Sequence, residues 1–363
     1  MNKYNLLILC WWLSASLVQA QNVDAPAYSN EFLAIGVGAR ALGMSKAYTA
    51  VANDVTAAYW NPAGLIRIKD KYQASLMHAE YFGGIANYDY GGFATKLDES
   101  GAIAFSVIRM GIDNIPDTRF LIDNVGNINY NNVGSFSEAS YAFLFSYARE
   151  STLIKGLRAG TNFKVIHRSA GAFASAWGFG LDVGAQLTRG KWHFGAMGRD
   201  ITGTFNIWNY NTETIASIFS RTNNKISENA VEITLPRAIV EAAREIQFGK
   251  NVGLLLTTGL TFTFDGKRNT FLRTSFLSGD FQAGAEVDFK KTVFVRGGVG
   301  NFQRLQQLDR SFYTELQPSF GIGFNILHFS IDYAMTNVMR SDAVMYSHIF
   351  SVKGSFATKA SKK

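Results

Sequence analysis

The chain has 363 residues, 35 Lys plus Arg against 28 Asp plus Glu, a net charge of +7, and 34 Gly, 29 Phe and 15 Tyr beside only 5 Pro. Glycine combined with aromatics favours strands over helices, and the basic residues form no stripe, which excludes the electrostatic footprint of a nucleic-acid-binding protein. The single cysteine, Cys10, lies in the first twenty residues, so the rest of the chain can use neither disulfides, thiolate metal sites nor a cysteine nucleophile.

In residues 1–20, Lys3 precedes the apolar run Leu6 to Val18 and the small-residue ending Val18-Gln19-Ala20. This pattern predicts a secretory signal peptide cleaved before Gln21. The run is too short to span a bilayer as a helix. Cys10 sits inside it, behind the bulky Leu9, which does not fit a lipidation site. No later stretch approaches the ~20 apolar residues of a transmembrane helix, so an exported chain of this kind either is soluble or crosses a membrane as a closed barrel.

Residues 21–66 form a segment of their own. Glu31 to Met44 runs into the Ala-rich stretch Ser45 to Ala58, which predicts helix in part, with Ser45 as N-cap. Asn61-Pro62-Ala63-Gly64 then dictates a tight turn. Small residues suit a segment packed inside a barrel, where backbone must approach the wall closely, so a partly helical plug is expected. Its key residues are Gly36, Gly38, Arg40, Gly43, Asp54, Asn61, Pro62 and Gly64. Gly36 to Ala41 also fits a dinucleotide fingerprint, but neither the preceding strand nor the downstream acid that a nucleotide site needs is evident. No cofactor is expected.

From residue 67 to 356 the pattern is period two. Phe179, Leu181, Val183, Ala185 and Leu187 form one face against Gly180, Asp182, Gly184, Gln186 and Thr188, and 281–289 repeats it. Apolar residues oppose a face of small and polar ones, and aromatics such as Tyr141, Tyr147, Phe289 and Tyr333 recur toward segment ends. Both features point to an outer-membrane barrel with a filled lumen and an interfacial girdle. Strands are expected near 72–82, 87–97, 101–110, 138–150, 156–168, 176–189, 191–199, 236–248, 251–264, 279–289, 292–300, 315–326, 327–336 and 343–354, with 270–278 either an extra strand or part of a loop. The fold class is therefore all-β, a transmembrane antiparallel β-barrel of about 14 strands contacting outer-membrane lipid. Connections alternate: 111–137, 200–235, 265–278 and 301–314 are long, and those between them are short, which sets the long loops outside the cell. A basic tail, 357–363, closes the chain.

Loop 200–235 carries Phe205, Trp208, Tyr210 and Phe219, more apolar than a solvated loop, and is a candidate partner-binding surface. Lumen-facing Asp182, Glu286, Asp288 and Asp332 would be costly unpaired, and Arg or Lys from neighbouring strands or from the plug, such as Arg40, are the expected partners. The histidines are dispersed, with no metal spacing and no G-x-S-x-G, and Asp113, Asp117 and Asp123 read as turn residues. Neither an enzyme nor a metal protein is indicated.

Phe32-Leu33, Gly38-Ala39-Arg40-Ala41-Leu42-Gly43-Met44, Ala47-Tyr48-Thr49-Ala50, Asp54 and Trp60-Asn61-Pro62-Ala63-Gly64-Leu65 resemble the opening of the PorV/PorQ family of Bacteroidetes outer membranes. That family falls within the FadL-like long-chain fatty-acid transporter barrels. The resemblance covers about thirty-five residues. It implies a non-enzymatic component of the type IX secretion system, which binds or shuttles secreted cargo at the cell surface in contact with the secretion machinery. FadL-like relatives instead pass hydrophobic molecules through the barrel wall, with the plug gating the lumen. The ending Asn61-Pro62-Ala63-Gly64-Leu65 is closer to that transporter-like form, which makes a hydrophobic ligand the alternative expectation.

Overall fold

A strand with one apolar face and one small or polar face leaves its sheet a choice between a second sheet and lipid to cover the apolar side. The computed structural model describes residues 29–357 except 124, 215, 217–228, 267, 308–309 and 337–346, and in it the sheet closes on itself. The signal-peptide region 1–20 and all but the first residue of the tail 357–363 lie outside the described residues.

The strands are β1 (Tyr72–Tyr81), β2 (Ala86–Lys96), β3 (Gly101–Asp117), β4 (Gly134–Glu150), β5 (Leu157–Ala170), β6 (Ala174–Arg189), β7 (Trp192–Arg199), β8 (Thr204–Tyr210), β9 (Asn229–Thr234), β10 (Arg237–Phe248), β11 (Val252–Thr263), β12 (Leu272–Arg273), β13 (Ser278–Phe289), β14 (Val293–Gln306), β15 (Phe312–Ile326), β16 (Phe329–Thr336) and β17 (Ser347–Phe356). Fourteen of them, all but β8, β9 and β12, form an antiparallel wall that β17 closes against β1, from Tyr72 opposite Phe356 to Glu80 opposite His348. Closure removes the free edges a membrane would not tolerate.

Burial shows which side faces lipid. Outward residues such as Leu76, Phe105, Phe145, Phe163 and Phe320 are exposed, Leu76 at 69%. Their inward neighbours, among them Ser106, Leu144, Asn162 and Gly321, contact the interior instead. Large apolar side chains exposed at every second position around a closed wall belong against hydrocarbon. Connections at the end holding both barrel termini are short, such as Gly190-Lys191 and Leu327-His328, while long ones such as 118–133 lie at the other end together with the short 82–85 and 171–173.

Three sequence expectations need correction and a fourth, left open, is resolved. Residues 200–235 are not one loop: β8 continues the line of β7 after a break at Asp200–Gly203, β9 leads into β10 across Leu235-Pro236, and β8 pairs with β6 and β9. Pro236 lacks the N–H a continuous ladder needs, which hides the strand from a simple periodicity reading. Several strands also outrun their predicted ends. β3 reaches Asp117 and β4 begins at Gly134, so hairpins stand above the membrane and the true loops are shorter. In 270–278, Leu272–Arg273 is a two-residue strand paired to β13, which itself begins at Ser278. Finally, Ser45 caps no helix: Ser45 and Lys46 both have positive φ, at 51° and 71°.

The inner segment and its chambers as candidate functional site

Residues 29–68 lie within the barrel, with short helices at α1 (Ala39–Leu42) and α2 (Ala57–Trp60), 3₁₀ turns at Glu31–Ala34 and Pro62–Arg67, and irregular backbone between. Val37, Met44, Ala47, Tyr48, Ala52, Val55 and Leu65 are fully buried. Alanine here serves close approach rather than helix propensity. A Cβ on Gly195 of β7 would lie 2.6 Å from Ala50 Cα, and one on Gly298 of β14 would lie 2.4 Å from the Met44 carbonyl carbon. The wall glycines are notches into which the inner backbone is pressed.

The predicted plug residues occupy this segment as follows. Gly38 has φ +83° and its N–H donates to Met77 Sδ at 2.9 Å, while Gly36, also at positive φ, lies under Trp60. Gly43 meets Gly321 of β15. Gly64 is obligatory on space alone, since a Cβ there would sit 2.2 Å from the Ala52 carbonyl oxygen. Asn61, fully buried, accepts from the Ala63 N–H and donates to the carbonyls of Thr49, Ala185 and Ala196, tying two inner turns to β6 and β7. Pro62 packs against Gly160 and Gly184.

Arg40 and Asp54 carry the charge. Arg40 forms a two-pronged pair with Glu286 of β13, at 2.7 and 2.8 Å. Glu286 also receives Arg296 Nε at 2.5 Å, and Arg296 Nη1 reaches Asp332 at 2.6 Å. The chain Arg40–Glu286–Arg296–Asp332 thus joins the inner segment to three wall strands. Asp54 accepts from Lys353 of β17 at 2.8 Å and from the Thr56 hydroxyl. Two of the other lumen acids find neighbours, Asp182 with Lys164 at 2.7 Å and Asp288 with Lys291 at 2.6 Å. Burial alone would raise the Asp54 carboxyl, but the Lys353 ammonium and the hydrogen bonds outweigh it and hold it at about 2.

That depression makes a pH prediction. A carboxyl lowered in the folded state stabilises the fold above its ordinary value of 3.8, and the contribution fades as pH falls toward about 2. The stability gap between wild type and Asp54→Asn, followed by heat-modified migration in detergent, should be about 2 kcal/mol at neutral pH and shrink between pH 4 and 2. A gap that does not change with pH would show that the pair contributes nothing.

Sequence reasoning missed the wall's side of this attachment. Asn162 donates to the Ala58 carbonyl at 2.7 Å, Gln186 to those of Thr49 and Ala52 at 3.0 Å, Ser351 accepts from the Ala39 N–H, and Glu241 from the Ala50 N–H. The available signal was a polar residue at an inward strand position. The described partner-loop residues divide between the two faces of the strand, with Trp208 and Tyr210 together on the inner one. Phe205 faces outward, Trp208 is buried on the inner side beneath Arg168 at 5.0 Å, and Tyr210 stacks on Trp208. Phe219 lies outside the described residues. In the first long connection, Asp117 holds Arg119 and Asp123 accepts the Val125 and Asn127 N–H groups, as turn residues do.

The inner segment separates cavities. Toward the short-turn end is a charged vestibule of about 730 Å³ lined by Arg40, Arg67, Lys69, Glu286 and Lys353 among others. Toward the long loops are two adjoining lobes, about 390 Å³ beside Tyr59, Trp60 and Arg199 and about 330 Å³ beside Ile35, Leu42, Tyr81 and Phe82, with Lys46 and Asp280 on the border of both. A closed fourteen-strand wall of this kind matches solved structures of known channels and transporters. The monoaromatic hydrocarbon channel CymD superposes with TM-score 0.57 at 11% identity, over 89% of this chain and 98% of that one. The Pseudomonas putida toluene transporter TodX superposes with TM-score 0.55 at 12% identity, over 89% and 99%. A Pseudomonas aeruginosa FadL homologue gives 0.52 at 13% identity, over 87% and 97%.

The fold is that of a FadL-like barrel. The apolar exterior of the closed wall suits a lipid bilayer. No protein-family profile and no curated protein matches the sequence. CymD is titled a channel and TodX a transporter, not enzymes, and here Arg40, Glu286, Arg296 and Asp332 are engaged with one another. Among the described residues, no three His, Cys, Asp or Glu gather as a metal site.

Proposed function

We propose that this chain is a non-enzymatic, FadL-like transporter of small hydrophobic molecules in which residues 29–68 act as the plug. The observation that carries the reading is the division of the lumen. An outer cavity bordered by Ile35, Leu42, Tyr81 and Phe82 is separated from the periplasmic vestibule by a segment that packs an apolar core against the wall and is tied to it at the vestibule by the Arg40–Glu286 and Lys353–Asp54 ion pairs. The polar attachments can exchange partners when the segment shifts. Cells lacking the gene should accumulate a radiolabelled monoaromatic hydrocarbon several-fold more slowly than wild type and recover on complementation. Equal rates would overturn the reading.

A second reading, a component of type IX secretion that grips exported cargo, is favoured by the lining of the cavities. The vestibule is dominated by Arg, Lys, Asp and Glu, which a lipophilic conduit does not need. The family resemblance in residues 32–65 points the same way. Comparing secreted and surface proteins of the deletion strain with wild type decides it: loss of a cargo class supports secretion, and an unchanged set excludes it.

A further inference from the structure

A cation on the lipid-facing side of a barrel wall is costly in hydrocarbon and reaches for the headgroup layer. At the short-turn end, one row of outward residues carries two. Arg189, the last residue of β6, lies in register opposite Trp192 of β7, and Trp192 lies opposite Arg244 of β10. They continue the outward faces that carry Leu187, Phe194 and Val240, and all three are exposed, Trp192 at 43%. The Arg244 guanidinium lies 5.0 Å over the Trp192 ring. Leu256 of β11 follows opposite Arg244, so the row holds no carboxylate.

The turns beside this row add to the charge. The β6–β7, β10–β11 and β13–β14 turns are neighbours on the rim, tied together by the Glu245 N–H donating to the Lys191 carbonyl at 2.9 Å and the Lys290 N–H to the Asn251 carbonyl at 2.6 Å. Lys250 and Lys290 stand exposed on two of them. Among the described residues, Arg189, Arg244, Lys250 and Lys290 make no ion pair. The nearby carboxylates belong to the lumen side and are engaged, Glu245 with His193 at 3.1 Å and Asp288 with Lys291 at 2.6 Å. The rest of the rim differs: the β2–β3 turn carries Asp98 and Glu99, and the turn Leu327-His328 carries neither Lys nor Arg.

We infer that this outward arc binds an anionic phospholipid of the leaflet at the short-turn end, its phosphate held by Arg189 and Arg244 beside Trp192, with Lys250 and Lys290 adding positive charge. Guanidinium groups pair well with phosphate oxygens, and an indole anchors at the headgroup level. Lipid is favoured over an acidic protein because the site is continuous with the lipid-facing wall: Phe194, Phe248 and Phe289 around it are 43, 55 and 51% exposed. The inference needs the wall to sit in a bilayer and does not depend on what crosses the lumen.

Native mass spectrometry of the purified full-length barrel in neutral detergent, titrated with dioleoylphosphatidylglycerol or dioleoylphosphatidylethanolamine, tests it. The anionic lipid should bind about tenfold more tightly than the zwitterionic one, and the preference should fall about fivefold for each cation removed, in Arg244→Gln and again in Arg189→Gln/Arg244→Gln. Lys155→Gln, on the β4–β5 turn outside the arc, should keep it. Heat-modified migration establishes that each variant is folded. Equal affinity for the two lipids, or a preference that survives in the double variant, would overturn the inference. If the lipids bind equally and poly-L-glutamate binds to wild type but not to the double variant, the arc is instead a seat for an acidic protein. Hydrocarbon accumulation in cells reads neither result, so a failed uptake assay leaves this test standing.

Discussion

Replacing Arg296 with alanine is expected to destabilise the barrel by about 3–5 kcal/mol, the cost of leaving one member of a buried ion network without its partner. Arg296 is 3% exposed and lies between Glu286 and Asp332, which are 5% and 8% exposed. Among the described residues, its removal leaves Asp332 with no ion-pair partner and Glu286 with Arg40 alone. Arg40→Ala should cost less, because Glu286 then keeps Arg296. The double variant Arg296→Leu/Asp332→Leu should recover part of the loss, since it removes the unpaired charge as well as the pair. Urea titrations of the folded, fast-migrating form in detergent measure all three. A single variant no worse than Arg40→Ala would show that the network is solvated.

The second large effect is expected from Gly298→Val. A side chain at this position must enter the space of the Met44 carbonyl and the Ser45 N–H, where a Cβ would already lie at 2.4 and 2.6 Å. Backbone cannot yield as a flexible side chain can, so either the wall distorts, at about 1–3 kcal/mol or more, or the 43–46 turn leaves its notch. The second outcome is expected, because the barrel ladder is continuous on both sides of Gly298 whereas the inner turn is irregular. Limited proteolysis should then cut within residues 29–68, and single-channel recordings should show conductance that wild type lacks. A variant with intact protection and no conductance would show that the notch is not what seats the segment.

Much of the wall could be read directly. β6 and β13 announce themselves because every second residue is apolar for nine residues or more, and a lipid-facing exterior imposes that rhythm on any sequence. The pairing of lumen acids was equally legible, since an unpaired carboxylate inside is too costly to keep. Residues 43–58 were not. Alanine predicts helix in isolation, but the requirement to lie against Gly195, Gly284 and Gly298 selects turns with Ser45 and Lys46 at positive φ, and tertiary contact overrode propensity. Likewise, the break at 200–203 and Pro236 concealed β8 and β9, which placed Trp208 inside and Phe205 outside.

The sequence by itself therefore determined a closed barrel of fourteen strands and a distinct N-terminal segment, because alternation and turn residues are local properties. Only the tertiary structure decided which atoms hold that segment, where the wall is interrupted, and that Asn162, Gln186, Glu241 and Glu286 turn toward the inner segment. These depend on which strands become neighbours and at what register, and a one-residue slip would turn every one of those wall side chains from the lumen to the lipid.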